Sequence, residues 1–159
     1  MKEVASIFGG TQDIVFMNLA LSLAQTAFEH EEVPIGAVVV NEFGEVIGRG
    51  FNMIESQHTQ AAHAEILAMA DAGKTLGDWR LEKCWLYVTL EPCAMCMAMA
   101  LQSRVNGVVY GASSPLFGFH LDNNISLQLY KKGALSVVEG VCKDEAAQLL
   151  KQFFKNKRQ

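Results

Sequence analysis

Two short clusters in this chain bring together side chains that bind metals and move protons. His63-Ala64-Glu65 opens one apolar run, and Pro92-Cys93-Ala94-Met95-Cys96 opens another some thirty residues later. Cys93 and Cys96 stand three apart, so on a helix both sulfurs share a face and can reach one metal ion. Pro92 suits the entry to that helix, because the backbone N–H it lacks would have no partner there. The positive end of the helix dipole then favours the thiolate forms. One imidazole from His63 and two thiolates make three protein ligands. Zinc takes four, so one position stays open for water, as in catalytic zinc sites. Two thiolates also cancel the formal charge of the metal and weaken its effect on that water, so a proton acceptor is needed. Glu65 is the residue for it, first as general base and then as general acid.

A Cys-x-x-Cys pair on its own is equally consistent with structural zinc or with redox chemistry. Its company here separates the readings. A structural site would close the fourth position, and a thioredoxin-like pair would leave His63 and Glu65 without a role.

The elements that must hold these residues can be read from the apolar pattern. At 159 residues, half of them apolar, the chain makes a single domain, 1–159, with enough core to stand alone. Residues 1–10 read as a flexible arm. A helix follows, capped by Thr11 or Asp13, with Ile14, Met17, Leu21, Ala24 and Phe28 on its buried face. Ile35–Val40 and Glu45–Phe51 form a hairpin around Asn41-Glu42-Phe43-Gly44. Ile54–Ala62 lacks periodicity and reads as a loop into the metal site. A helix runs from His63 to about Thr75, with Gly77 closing it. Trp85–Leu90 is the strand before the Cys93 helix, and Val105–Tyr110 is the strand after it. Ser113–Asn124 is a loop, Ile125–Lys131 a short helix, Leu135–Glu139 the fifth strand, and residues 143–158 a closing amphipathic helix. Strands alternating with helices predict an α/β domain with helices on both faces of its sheet.

The remaining polar and sulfur residues carry weaker signals. The net charge of −4 provides no global basic field, although Lys155, Lys157 and Arg158 give the last helix a cationic end. Four cysteines, two of them assigned to metal, fit a reducing cytoplasm, with Cys84 and Cys142 as buried small apolar residues. The apolar stretch Ile14–Ala24 is too short to span a bilayer, so no membrane association is expected. His30, His58 and His120 read as solvated groups, and Met95, Met97 and Met99 as packing or a subunit contact.

The pattern H-x-E…P-C-x-x-C is that of the zinc nucleobase deaminases, and the chain resembles their bacterial tRNA adenosine deaminase branch over most of its length. The resemblance is carried by Glu32–Val40, Gly48–Asn52, His63–Ala68, Trp79-Arg80-Leu81, Leu86–Cys96, Val108–Ala112 and Ala146–Arg158. Two segments depart from it: Thr59-Gln60-Ala61-Ala62 replaces Asp-Pro-Thr-Ala, and Phe117–Leu121 replaces a run of small residues. The resemblance implies a three-layer α/β/α fold with a five-stranded mixed sheet, a homodimer, and one zinc per subunit. It also implies base contacts from Asn52 and from the backbone at Ala64. The expected reaction is hydrolytic deamination of adenosine to inosine at the tRNA wobble position. If the enzyme acts on tRNA, Lys155, Lys157 and Arg158 would touch phosphates. Two alternatives remain at this point: a deaminase of a free base or nucleoside such as guanine, cytosine or a related heterocycle, and a non-enzymatic zinc module. The second leaves Glu65 unexplained.

Overall fold

Two apolar runs, Gly36–Val40 and Trp85–Leu90, lie side by side and are buried almost throughout. Such runs occur where a strand is covered on both faces. The structure is a computed structural model that describes residues 2–121 and 135–158. Its sheet has the order β1 (Lys2–Glu3), β6 (Ser136–Val138), β5 (Gly107–Ala112), β4 (Trp85–Leu90), β2 (Gly36–Val40) and β3 (Val46–Phe51). Strand β2 is antiparallel to β3 and β4, whereas β4, β5, β6 and β1 run parallel. Five strands form the body of this mixed sheet, and β1 adds a two-residue edge.

Alternation along the strands sends successive side chains into two separate cores. Val38, Val40, Tyr87, Val109 and Val138 face α1 (Gly10–Glu29), meeting Phe16, Met17 and Ala20. The C-terminal helix α5 (Lys143–Lys157) lies on this side too, with Ala146 against Gly111 and Phe153 edge-on to Phe28. Ala37, Val39, Leu86, Val88 and Val108 face the other way, onto α3 (Ala64–Leu76) and α4 (Ala94–Gln102). The result is the expected three-layer α/β/α arrangement with helices on both faces.

Helix α3 sits unusually close to β3. A methyl group at Gly48 would collide with Ala68 O and Ala72 N, and one at Gly50 with Ala64 O and Ala68 N. These two glycines set the height at which α3 begins, and hence the height of His63.

Several expectations are corrected. Of the stretch expected to be a flexible arm, the described residues are tied down: Lys2–Glu3 pairs with β6, and Ser6 is buried against Asp13. Helix α1 starts at Gly10 after Gly9, so Asp13 points inward and does not cap it. Its buried face is Asp13, Phe16, Met17, Ala20, Ala24 and Ala27, leaving Ile14 about half exposed at 48%. The rotation follows from that buried acid. Ile54–Ala62 is a short helix α2 (Ile54–Gln57) and a 3-10 turn (Gln60–Ala62), not an irregular loop. Cys84 is buried as expected, but Cys142 is half-buried and takes a left-handed conformation (φ 56°) at the start of α5. The helix expected at Ile125–Lys131 lies outside the described residues.

Candidate metal and catalytic site

His63 and Cys93 occupy equivalent positions. Each has extended backbone and directly precedes a helix, α3 for His63 and α4 for Cys93. Their carbonyl oxygens accept the first helical bonds, from Leu67 N (3.0 Å) and Met97 N (3.0 Å). Both helices thus start at the same end of the sheet and turn their positive dipole ends towards one point. Cys93 lies one position before the helix it was expected to open; Cys96 still lies one turn further along the same face.

His63 Nδ1 lies 3.4 Å from Cys96 Sγ and 3.9 Å from Cys93 Sγ, and the three ligand atoms all fall within 4.8 Å of one another. Tetrahedral zinc with ordinary Zn–S and Zn–N bonds needs ligand separations of about 3.6 Å. The donor set and its spacing fit that ion. On its far side the ring is held by Gln60, whose Oε1 accepts from Nε2–H at 3.1 Å, leaving the Nδ1 lone pair towards the sulfurs. Gln60 itself is placed by the 3-10 turn, capped by Thr59 Oγ1 accepting from Ala61 N at 3.1 Å.

The electrostatics follow from that crowding. A hydrogen bond from Cys96 draws the Cys93 thiol down to about 4, against burial and with His63 assisting. Donating that bond, together with burial, pushes the Cys96 thiol up. His63 is raised by its bond with Cys93 and by the Glu65 charge, against burial.

Glu65 is 4% exposed on the first turn of α3. Burial raises its carboxyl above the ordinary range, while its backbone hydrogen bond, His63 and Cys96 partly offset that. A buried carboxyl in contact with the ligand cluster is placed for proton transfer.

Asn52 is buried at the end of β3, and its Oδ1 accepts from Ala64 N at 2.9 Å. The bond satisfies a free N–H at the start of α3 and fixes Asn52 beside His63. It also occupies the Ala64 N–H, one of the backbone groups expected to be available to a base. Lys155, Lys157 and Arg158 are not brought into the cluster. They lie at the end of α5 on the α1 side of the sheet, where Lys157 stacks over Phe153.

Three residues that organise the site were not foreseen. Glu32, 2% exposed, accepts from Glu55 N (3.0 Å) and Ser56 N (2.8 Å), fixing the α2 segment. Glu91, 3% exposed, accepts from Ser114 N, His120 N and His120 Nδ1, fixing the segment after β5. His120 is exposed, as expected of a solvated group, and is also a partner of Glu91. Gln60 is the third. The available signal was a carboxylate inside an apolar run, as in Thr89-Leu90-Glu91-Pro92, which must find donors wherever it is buried.

Comparison with known proteins agrees with this geometry. The family profile "cytidine and deoxycytidylate deaminase zinc-binding region" matches residues 10–112. The chain is similar to the tRNA-specific adenosine deaminase of Bacillus subtilis (strain 168), 44% identical over 150 residues, covering 93% of this chain and 92% of that protein. Among solved structures it resembles one from a study of A-to-I editing by tRNA:A34 deaminases at the wobble position of transfer RNA. That match has 39% identity and a TM-score of 0.78, covering 86% of this chain and 99% of the other. A guanine deaminase from Nitrosomonas europaea has the same TM-score, 0.78, at 26% identity, covering 88% and 83%.

Proposed function

We propose that this chain, which belongs to the tRNA-specific adenosine deaminases of the cytidine and deoxycytidylate deaminase zinc-binding family, converts adenosine to inosine at the wobble position of tRNA. The observation that carries the chemistry is the burial of Glu65 in contact with the His63, Cys93 and Cys96 cluster. His63 Nδ1, Cys93 Sγ and Cys96 Sγ would hold the zinc, which when bound activates a water for attack on C6 of the base. Glu65 would carry a proton from the attacking water to the exocyclic nitrogen. The C6–N bond breaks, a C6–O bond replaces it, and ammonia leaves. Asn52, whose Oδ1 is committed to Ala64, would offer the base its Nδ2–H donors.

The substrate class rests on relatedness. The two tRNA-acting relatives share 44% and 39% identity with this chain, against 26% for the guanine deaminase, although the fold agrees equally well in both solved structures. The cationic end of α5 would contact phosphate. A homodimer also belongs to this reading: Trp79 stands 55% exposed with the Arg80 and Arg104 guanidiniums against its ring, a surface a second copy could cover. A tRNA substrate would put the enzyme in the cytoplasm, and among the described residues no helix is long and apolar enough to cross a membrane.

The test is a panel in which zinc-loaded protein meets an anticodon stem-loop with adenosine at the wobble position, and separately adenine, guanine, cytosine and their nucleosides. Inosine in the stem-loop with equimolar ammonia is expected. Ammonia from a free base and none from the stem-loop would replace this reading with the free-base alternative. Exchanging Lys155, Lys157 and Arg158 for Gln should lower stem-loop affinity about fivefold at low salt and flatten its salt dependence. Equal salt slopes would remove these residues from the interface.

A further inference from the structure

The segment after β5 is built as a rigid frame around an exposed apolar tip. Ser114 and Gly118 are buried, and Gly118 N donates to Ser114 O at 3.1 Å, closing the tip into a turn. Both shoulders are tied to Glu91 through Ser114 N and His120 N. Gly118 packs so tightly on the Glu91 carboxylate that a Cβ there would overlap it. Phe119 N donates to Pro92 O at 2.9 Å, immediately before Cys93. Phe119 also packs its ring against Tyr110. Between these fastenings stand Pro115, Leu116 and Phe117. Pro115 has a fixed φ, and Leu116 and Phe117 are 75% and 74% exposed.

Two adjacent apolar side chains turned to solvent on a fastened loop gain nothing for the fold. Their place does suggest a use, since the fastenings run to Glu91 and Pro92, next to a metal-binding residue. A base presented to this site must leave its stack, which uncovers the face of its neighbour. An aromatic or flat apolar surface fixed in advance can cover that face without the cost of ordering a loop. From this, and resting on the RNA reading above, we propose that Leu116 and Phe117 form the platform on which the base adjacent to the target adenosine stacks. Glu91 is the positioning residue that holds the platform in place.

Such stacking is indifferent to hydrogen-bonding pattern and sensitive to the presence of a ring. The experiment therefore pairs Phe117→Ser and Leu116→Ser with Phe117→Tyr, on stem-loops whose nucleotides flanking the target are intact or, one at a time, abasic. Because both side chains are exposed, these variants should melt with the wild type. Phe117→Ser should raise KM for the intact stem-loop about tenfold with kcat within twofold, Leu116→Ser should raise it less, and Phe117→Tyr should restore it. One abasic substrate should cost the wild type a similar factor and cost Phe117→Ser nothing further. An unchanged KM, or losses that multiply when the serine variant meets each abasic substrate, would overturn the proposal. So would a change in molecular mass of Phe117→Ser in light scattering, which would assign the tip to a contact between copies. Failure of the RNA reading looks different: the wild type would then form no inosine in any stem-loop.

Discussion

Two of the buried acids, Asp13 and Glu65, lie on opposite sides of the sheet and are treated in opposite ways. On the α1 side Asp13 is 0% exposed, and its carboxylate is surrounded by donors: Ser6 N at 2.9 Å, the Ser6 hydroxyl, and Tyr87 Oη at 2.6 Å. On the α3 side Glu65 is as deeply buried, but it faces an imidazole and two cysteine sulfurs, and burial raises its carboxyl. A carboxylate with this set of hydrogen-bond donors serves structure, joining the N-terminal residues to α1 and β4. One set instead against a cluster of candidate metal ligands is placed to exchange a proton with a reactant. Burial alone therefore does not mark a catalytic acid; the identity of its neighbours does.

Exchanging the acids' side chains should separate these roles, and the largest effect belongs to Glu65. Glu65→Gln keeps the shape of the side chain and removes its proton exchange, so turnover should fall about a thousandfold while the melting temperature holds or rises. Single-turnover inosine formation and calorimetry check it; a rate within tenfold of wild type would mean another group moves the proton. Asp13→Ala should do the reverse. It leaves the Tyr87 and Ser6 donors without their acceptor and should cost about 3 kcal/mol of stability in denaturant unfolding. The rate per folded molecule should stay within about twofold of wild type, within which such a comparison reads no change.

Smaller substitutions sharpen the contrast. Gln60→Ala frees His63 Nε2 and should weaken zinc affinity about tenfold by competition with a chelating dye, with little effect on melting of the zinc-loaded protein. The smallest effect concerns Tyr87, whose phenol is raised by burial and then by Asp13. The fold needs it neutral, whereas the unfolded chain ionises it near pH 10. Its contribution is thus complete below about pH 10 and lost as pH rises above that. Tyr87→Phe should give up about 1 kcal/mol at neutral pH and decline less steeply in alkaline melts. Some decline should persist, because burial and then the Glu139 hydrogen bond raise Tyr110 in the same direction.

The gathering of the candidate site residues was legible because it depends on residue types at short spacing: His63 with Glu65, Cys93 with Cys96. The layers were legible for a similar reason, since runs such as Gly36–Val40 leave little choice but a covered strand. What sequence could not supply was pairing over distance. Asp13 reads as a cap until Ser6 and Tyr87, the latter 74 positions away, are seen to meet it. Glu91 reads as part of a motif until the chain returns at Ser114 and His120. The faces of α1 were misassigned for the same reason, because a buried acid turns the helix by about one residue and exposes Ile14. Carboxylates inside apolar runs were the signal to follow, yet nothing local names their donors.

Zinc K-edge X-ray absorption of the purified protein would show whether the metal position beside Glu65 is open. About one zinc per chain is expected, bound by one imidazole and two sulfurs with a single light, exchangeable fourth ligand. That fourth ligand should persist in Glu65→Gln. A third sulfur or a second imidazole in the coordination shell, or protein that binds no zinc, would contradict it.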